Sequence, residues 1–326
     1  MKKVVLVFIM SLTLSPTYAN DWSKESTTVL KQAAKQGNAD AQVALANKYF
    51  DEDGSNHDYP QALLWYQKAA AQGNAKAENS LGWMYINGYG VKKDYVQALE
   101  WLKKSAAQRN SYAEANIGWM YETGNGVQQD YAQALQWYQK SADQGNSNGQ
   151  YLLGLMYADG YGIQQNRAQA FHWIHKSATQ GNANAESTLG LMYTEGFGVP
   201  MDVKQAIKWY QSAADKGNSS AQSSLGLLYK DGQGVQQDFD KAISLFHKAA
   251  EQGNAEAQYN LGEIYRIGSG VIQDLPQAYA WYVVSAVNGY SEAVSRRDAL
   301  TSSLSTESLI KAKELANNYC EKFQPK

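Results

Sequence analysis

Apolar and polar positions along this chain recur in blocks of 36 residues. In the block at 146–181, Leu153, Gly154, Met156 and Tyr157 form one apolar set, and Ala170, Trp173, Ile174, Ser177 and Ala178 form a second. Both sets follow three- and four-residue spacing, which predicts two helices, each apolar on one side. Between them stands Asp159-Gly160-Tyr161-Gly162-Ile163, and its glycine pair returns at Gly88/Gly90, Gly124/Gly126, Gly196/Gly198, Gly232/Gly234 and Gly268/Gly270. Paired glycines at fixed offsets suit a tight turn that needs positive φ.

Gly-Asn marks the block boundary at Gly37-Asn38, Gly73-Asn74, Gly145-Asn146, Gly181-Asn182, Gly217-Asn218 and Gly253-Asn254. Arg109-Asn110 and Gly289-Tyr290 complete the series, so seven units run over 38–289 without an insertion. Glycine here ends one helix in the left-handed conformation, and asparagine caps the next. Asp94, Asp130 and Asp202 precede Gln97, Gln133 and Gln205 by three residues. The aspartate can accept from the first-turn amides of the second helix while the glutamine reaches back. Pro60 and Pro276 fall in that same first turn, where a missing N–H costs nothing.

Two irregularities carry further expectations. Gly82, Gly118, Gly154, Gly190, Gly226 and Gly262 interrupt the first helices, where glycine costs about 1 kcal/mol relative to alanine. Their recurrence predicts a paired helix too close for a Cβ, with the bulk supplied by Trp65, Trp101, Trp137, Trp173, Trp209 and Trp281. Leu245 breaks that series. Arg109, standing where other units have glycine, should resist positive φ and bend the stack locally.

The pattern Ala-x-Ala-Gln, Leu-Gly-x-Met-Tyr, Gly-x-Gly-Val, Asp-Tyr, Gln-Ala, Trp-Tyr-x-Lys-Ala-Ala, Gly-Asn is similar to the Sel-1-like repeat, a longer relative of the tetratricopeptide repeat. The resemblance covers 38–289. It implies an all-α, right-handed α-solenoid of 36-residue helix-turn-helix repeats, first helices lining a concave groove, and a role in protein–protein interaction without a cofactor. Relatives in that family include exported bacterial proteins that bind envelope components or host proteins, immunoglobulin among them. Residues 20–37 then read as an N-terminal capping helix and 290–326 as C-terminal capping helices, with Ser305 as a helix cap and Leu304 stapled onto Leu309.

One face of the first helix carries Lys76, Asn79, Trp83 and Ile86 in the second unit, and the resemblance turns this face into the groove. At the Trp83 position the units hold Asn47, Trp83, Trp119, Leu155, Leu191, Leu227 and Glu263. That is an apolar ridge of five units with polar ends, flanked by Tyr112, Tyr151 and Tyr259. Exposed, such a stripe is costly unless it binds something, and Trp and Tyr are frequent interface anchors. Trp83, Trp119, Leu155, Leu191 and Leu227 would anchor a protein or peptide, with Tyr112, Tyr151 and Tyr259 making mixed contacts. The alternative is ordinary packing between neighbouring units.

Composition narrows the chemistry. The chain has 29 basic and 31 acidic residues, net charge −2, and 44% hydrophobic residues. It has core-forming capacity and no basic footprint for nucleic acid. Lys2 and Lys3, the apolar run 4–14 and Thr17-Tyr18-Ala19 read as a secretory signal at 1–19 cleaved after Ala19. The mature chain is then expected to be a periplasmic or secreted monomer, without membrane insertion. Cys320 is the sole cysteine, so no intrachain disulfide can form, and it reads as a partly buried helix residue. His172 and His175 share a helix face, but Glu100, Gln136, Gln139 and Gln211 at sister positions mark it as solvated, and no metal site is expected. Ser308 and Lys311 match Ser-x-x-Lys without its companion motifs, so no catalytic residue is assigned. A weak β-lactam-binding or -hydrolysing protein, like a cysteine-rich branch of the family, is one alternative, although the paired cysteines of that branch are missing. A binder of cell-wall glycan is another.

Overall fold

The structure is a computed structural model that describes residues 21–51 and 57–323. The expected signal at 1–19 lies outside the described residues. The chain divides into two compact units, Met1–Asn110 and Ser111–Lys326. In the first, a short 3-10 helix at Trp22–Lys24 precedes α1 (Thr27–Lys35). Two helix pairs follow: α2 (Ala39–Asp51) with α3 (Tyr59–Ala70), and α4 (Ala75–Asn87) with α5 (Tyr95–Ala107). The second unit stacks five pairs: α6 (Ser111–Thr123) with α7 (Tyr131–Asp143), α8 (Ser147–Asp159) with α9 (Arg167–Ala178), α10 (Ala183–Glu195) with α11 (Val203–Asp215), α12 (Ser219–Asp231) with α13 (Phe239–Glu251), and α14 (Ala255–Ile267) with α15 (Leu275–Val287). It ends with α16 (Ser291–Ser303) and α17 (Thr306–Phe323). No strand occurs among the described residues. The architecture is all-α and built from repeating helix pairs of 36 residues.

Local chemistry explains where each helix starts and stops. Asn74, Asn146, Asn182, Asn218 and Asn254 accept first-turn amides through their side chains. Asp94, Asp130 and Asp202 do the same for the second helices. The expected return bond from glutamine is replaced by another. Each cap's own N–H already donates to a first-helix carbonyl, Asp94 to Tyr85, Asp130 to Tyr121 and Asp202 to Tyr193, at 2.9–3.0 Å. The loop is thus clipped to the helix before it, and the glutamine has nothing left to satisfy. The second glycine of each loop serves packing as well as φ: a Cβ on Gly162 would stand 2.6 Å from the Tyr131 carbonyl oxygen of the preceding pair.

Arg109 corrects a second expectation. It adopts φ +61°, the one described non-glycine residue with positive φ. Its turn keeps the bonds Arg109 N–H to Ala106 O at 2.9 Å and Asn110 N–H to Ser105 O at 3.3 Å. The hydrogen bonds of the turn outweigh a left-handed penalty of about 1–2 kcal/mol, so the arginine conforms rather than resists.

The helix-interrupting glycines are indeed sites of close approach, but the opposing group is the residue after the tryptophan, or after Leu245 where leucine replaces it. A Cβ on Gly82 would lie 2.6 Å from Leu102, on Gly154 2.6 Å from Ile174, and on Gly226 2.7 Å from Phe246. Tyr138, Tyr210 and Tyr282 fill the same role beneath Gly118, Gly190 and Gly262. Trp209 and Trp281 instead lie beside His175 and His247 of the preceding second helix, and Trp137, Trp173 and Trp209 are half-buried. Lys140 and Lys176 hold their ammonium groups 3.9 and 4.9 Å from the Trp137 and Trp173 ring centres, each worth about 0.5–1 kcal/mol at a wet surface. In α15 that lysine becomes buried Val284, and Trp281 is 1% exposed. Tyr319 and Phe323 of α17 lie over its ring at 4.5 and 5.1 Å. The last helix therefore seals α15, with Ser305 Oγ accepting from Ser308 N–H at 3.2 Å at its start.

Candidate functional site

The first helix of each pair carries one residue at the same position of the repeat, and within each unit these residues form a row. Trp83 holds this position on α4 in the first unit. In the second unit Trp119, Leu155, Leu191 and Leu227 hold it on α6, α8, α10 and α12. All five are half-buried or exposed, with Leu191 the most open at 39%. Tyr112 is half-buried on α6. The row is narrower than its helical periodicity implies: Asn79 and Ile86, on the same predicted face, are buried. Tyr151 is also withdrawn from solvent, at 5% exposure. Its hydroxyl meets Thr188 Oγ1 of the next first helix at 3.3 Å, so it closes a seam between repeats and does not stand on the row. Tyr259 is half-buried, its ring 4.9 Å from Tyr290 and 5.7 Å from Tyr282.

A polar component beside this row went unread in the sequence. Where a tyrosine passes beneath a glycine, its hydroxyl emerges at a polar side chain of the first helix. Tyr138 donates to Glu122 Oε2 at 2.5 Å, and Tyr282 donates to Glu263 Oε1 at 2.5 Å. In the first unit Tyr66 donates to Asn47 Oδ1, also at 2.5 Å. Burial raises the Tyr210 hydroxyl pKa above its ordinary value, with Thr194 and Ser224 opposing the shift. The sequence carries a signal for this: Tyr66, Tyr138, Tyr210 and Tyr282 alternate with Leu102, Ile174 and Phe246, a period of two repeats.

Electrostatics separates the two carboxylates. Burial pushes the Glu122 carboxyl above its ordinary range, with Asp159 adding to the push and the Tyr138 bond opposing it. Burial acts upward on Glu263 as well. There Arg266, the Tyr282 hydroxyl and the charge of Arg296 outweigh it and hold the carboxyl low. Arg266 donates from Nη2 to Glu263 Oε2 at 2.6 Å and from Nε to Oε1 at 3.3 Å. Arg296 of α16 brings its Nε within 3.1 Å of Oε1. One end of the row is therefore cationic, and its middle is apolar with a carboxyl that resists ionisation.

Other sequence candidates are occupied by packing. The His175 ring lies edge-on to Trp209 at 6.0 Å and the His247 ring to Trp281 at 5.5 Å. No group of three or more metal-ligating side chains converges among the described residues. The Ser308 hydroxyl stands 3.0 Å from that of Ser305 in the capped turn of α17. No described helix is long and apolar enough to cross a membrane.

Comparison with known proteins places this geometry in a family. A crystal structure of a Sel1 repeat protein from Oxalobacter formigenes is 32% identical, covers 80% of this chain and 99% of its own, and superposes with a TM-score of 0.67. A protective antigen from uropathogenic Escherichia coli displaying an SLR fold is 29% identical over 91% of this chain and 79% of its own, with a TM-score of 0.49. No curated protein matches the chain. A Sel1 repeat scaffold suggests protein–protein interaction. The Sel1 repeat profile matches residues 39–74, 75–110, 111–146, 147–182, 183–218, 219–254 and 255–286, and the chain belongs to the Sel1 repeat family.

Proposed function

We propose that this chain is an exported, monomeric, non-enzymatic scaffold that holds a peptide segment of a partner protein along the first-helix face. The row Trp119, Leu155, Leu191 and Leu227 carries the reading. Four large apolar side chains at one position of successive first helices remain partly open to water, and a stripe of that kind is kept where something covers it. Repeats supply many modest contacts along an extended surface, so affinity needs neither a deep pocket nor a cofactor. The leader-like pattern at 1–19 supports export, and the partner would then be sought in the periplasm or outside the cell.

The test uses the producing cell. Leu191 is replaced by a photo-crosslinking phenylalanine analogue in one strain, and Lys208, exposed on the second helix α11, in another. The proposal expects a discrete protein adduct from position 191, none from 208, and loss of the adduct when Leu155→Asp is added to a chain that still folds by circular dichroism. Equal adducts from both positions would move the binding surface off the first helices.

A further inference from the structure

The cationic end of the row says what kind of segment would lie there. Glu263 takes the position that Leu227 holds one repeat earlier, and its two oxygens are fully used. Oε1 accepts from Tyr282 Oη and Arg266 Nε and forms an ion pair with Arg296 Nε, and Oε2 accepts from Arg266 Nη2. Two guanidinium groups thus share one carboxylate, leaving one positive charge in excess within this trio, with Glu256 and Glu292 beyond it around Tyr290. Arg296 is oriented from both sides, since its Nε also lies 3.4 Å from Tyr259 Oη. These contacts use its Nε alone. Both terminal nitrogens are without an acceptor among the described residues, on a side chain that is 46% exposed. A planar fork held in place with free paired donors fits a carboxylate in bidentate geometry.

We propose that Arg296, with Arg266 behind it, binds the side-chain carboxylate of an aspartate or glutamate in the segment that covers Leu191 and Leu227. The inference rests on the first-helix row being the binding face. A side chain rather than a chain terminus is the source of the carboxylate, because α16 (Ser291–Ser303) continues the row of first helices beyond Glu263 and a bound chain need not stop there. Spacing gives a sequence rule. Packed helices lie about 8–10 Å apart, and an extended chain advances about 3.3 Å per residue. The acidic residue therefore stands about three positions from the aliphatic residue that covers Leu227.

The probe is a phage library of random dodecapeptides, panned on the full chain and on Arg296→Gln and Leu191→Asp variants matched for thermal stability. Selected peptides are then synthesised with acetylated and amidated ends and titrated by fluorescence polarisation. The wild type should enrich peptides with an acidic residue three positions from Leu, Ile or Phe. Arg296→Gln should weaken them about tenfold, as for loss of a charge-assisted bond. Replacing the acid of the peptide by its amide should weaken wild-type binding by a similar factor and leave binding to Arg296→Gln unchanged, a coupling that a merely structural role of Arg296 would not produce. Arg296→Lys, which keeps charge and loses the fork, should fall between. Selected peptides that are lost on Leu191→Asp yet indifferent to Arg296→Gln overturn this inference and leave the row standing. Peptides that bind only with a free C-terminus overturn the side-chain assignment. Peptides that bind Leu191→Asp as well as wild type, or no enrichment at all, count against the row itself.

Discussion

Tyr138–Glu122 and Tyr282–Glu263 are the same device placed in two surroundings. In each, a second-helix tyrosine slides beneath a first-helix glycine and donates a 2.5 Å hydrogen bond to a glutamate on the first helix. The carboxyls nevertheless shift in opposite directions, Glu122 upward and Glu263 downward. The bond is common to both, so the bond does not decide. Glu122 has burial and the charge of Asp159 against it, whereas Glu263 has two arginines in its favour. One tyrosine–glutamate pair can therefore sit in an apolar stretch and another anchor a cationic site, according to what neighbouring repeats place beside it.

The glycine is the shared foundation, and removing it should have the largest effect. Gly118→Ala and Gly262→Ala place a Cβ 2.6 Å from the Tyr138 and Tyr282 rings. Each should cost about 3 kcal/mol, the upper end for overpacking, read by urea unfolding. Deleting the acceptor separates the pairs. Glu263→Ala strands a tyrosine hydroxyl and two guanidinium groups and should cost about 2 kcal/mol, whereas Glu122→Ala strands one hydroxyl and should cost about 1 kcal/mol.

Acidity sharpens the comparison further. A carboxyl raised in the folded state gives stability that is present below its ordinary value near 4.5 and lost as pH rises through the folded pKa. A lowered one gives stability that is present above that value and lost as pH falls through the folded pKa. Measured against Glu122→Gln, the wild type should lose relative stability as pH climbs above about 4.5; against Glu263→Gln, it should lose relative stability as pH drops below it. Both slopes are readable from thermal melts across pH 3–7, a window that brackets carboxylate pKa values of roughly 4. The smallest effect belongs to Asp159→Asn, which should bring the Glu122 carboxyl partway back toward its ordinary value in a carbon-detected NMR titration.

Much of the scaffold was legible because its determinants are local. The 36-residue period, the asparagine and aspartate caps and the close approach at the glycines each follow from residues near one another in sequence. The misreadings arose where geometry between helices decides. Size alone points to Trp, the largest recurring side chain, as the group facing each glycine, yet one residue turns a helix face by 100°, and the residue after it faces the glycine. Tyr151 shares a helical face with the row, but Thr188 of the next first helix covers it, a contact that no single-helix periodicity contains. The dihedral preference of Arg109 alone argues against positive φ, whereas the hydrogen bonds of the turn set it. Arg296 lies 30 residues beyond Arg266 in a helix whose repeat pattern has faded, so nothing in the sequence joined them at Glu263.

The binding face can be tested most directly by hydrogen–deuterium exchange on the full chain, with and without a saturating amidated peptide selected from the dodecapeptide library. Amides of α8, α10 and α12 and of the Arg296 turn of α16 should gain protection, while those of α9, α11 and α13 remain unchanged. Protection concentrated on the second helices, with the first helices unaffected, would contradict the claim that the first-helix row holds the partner.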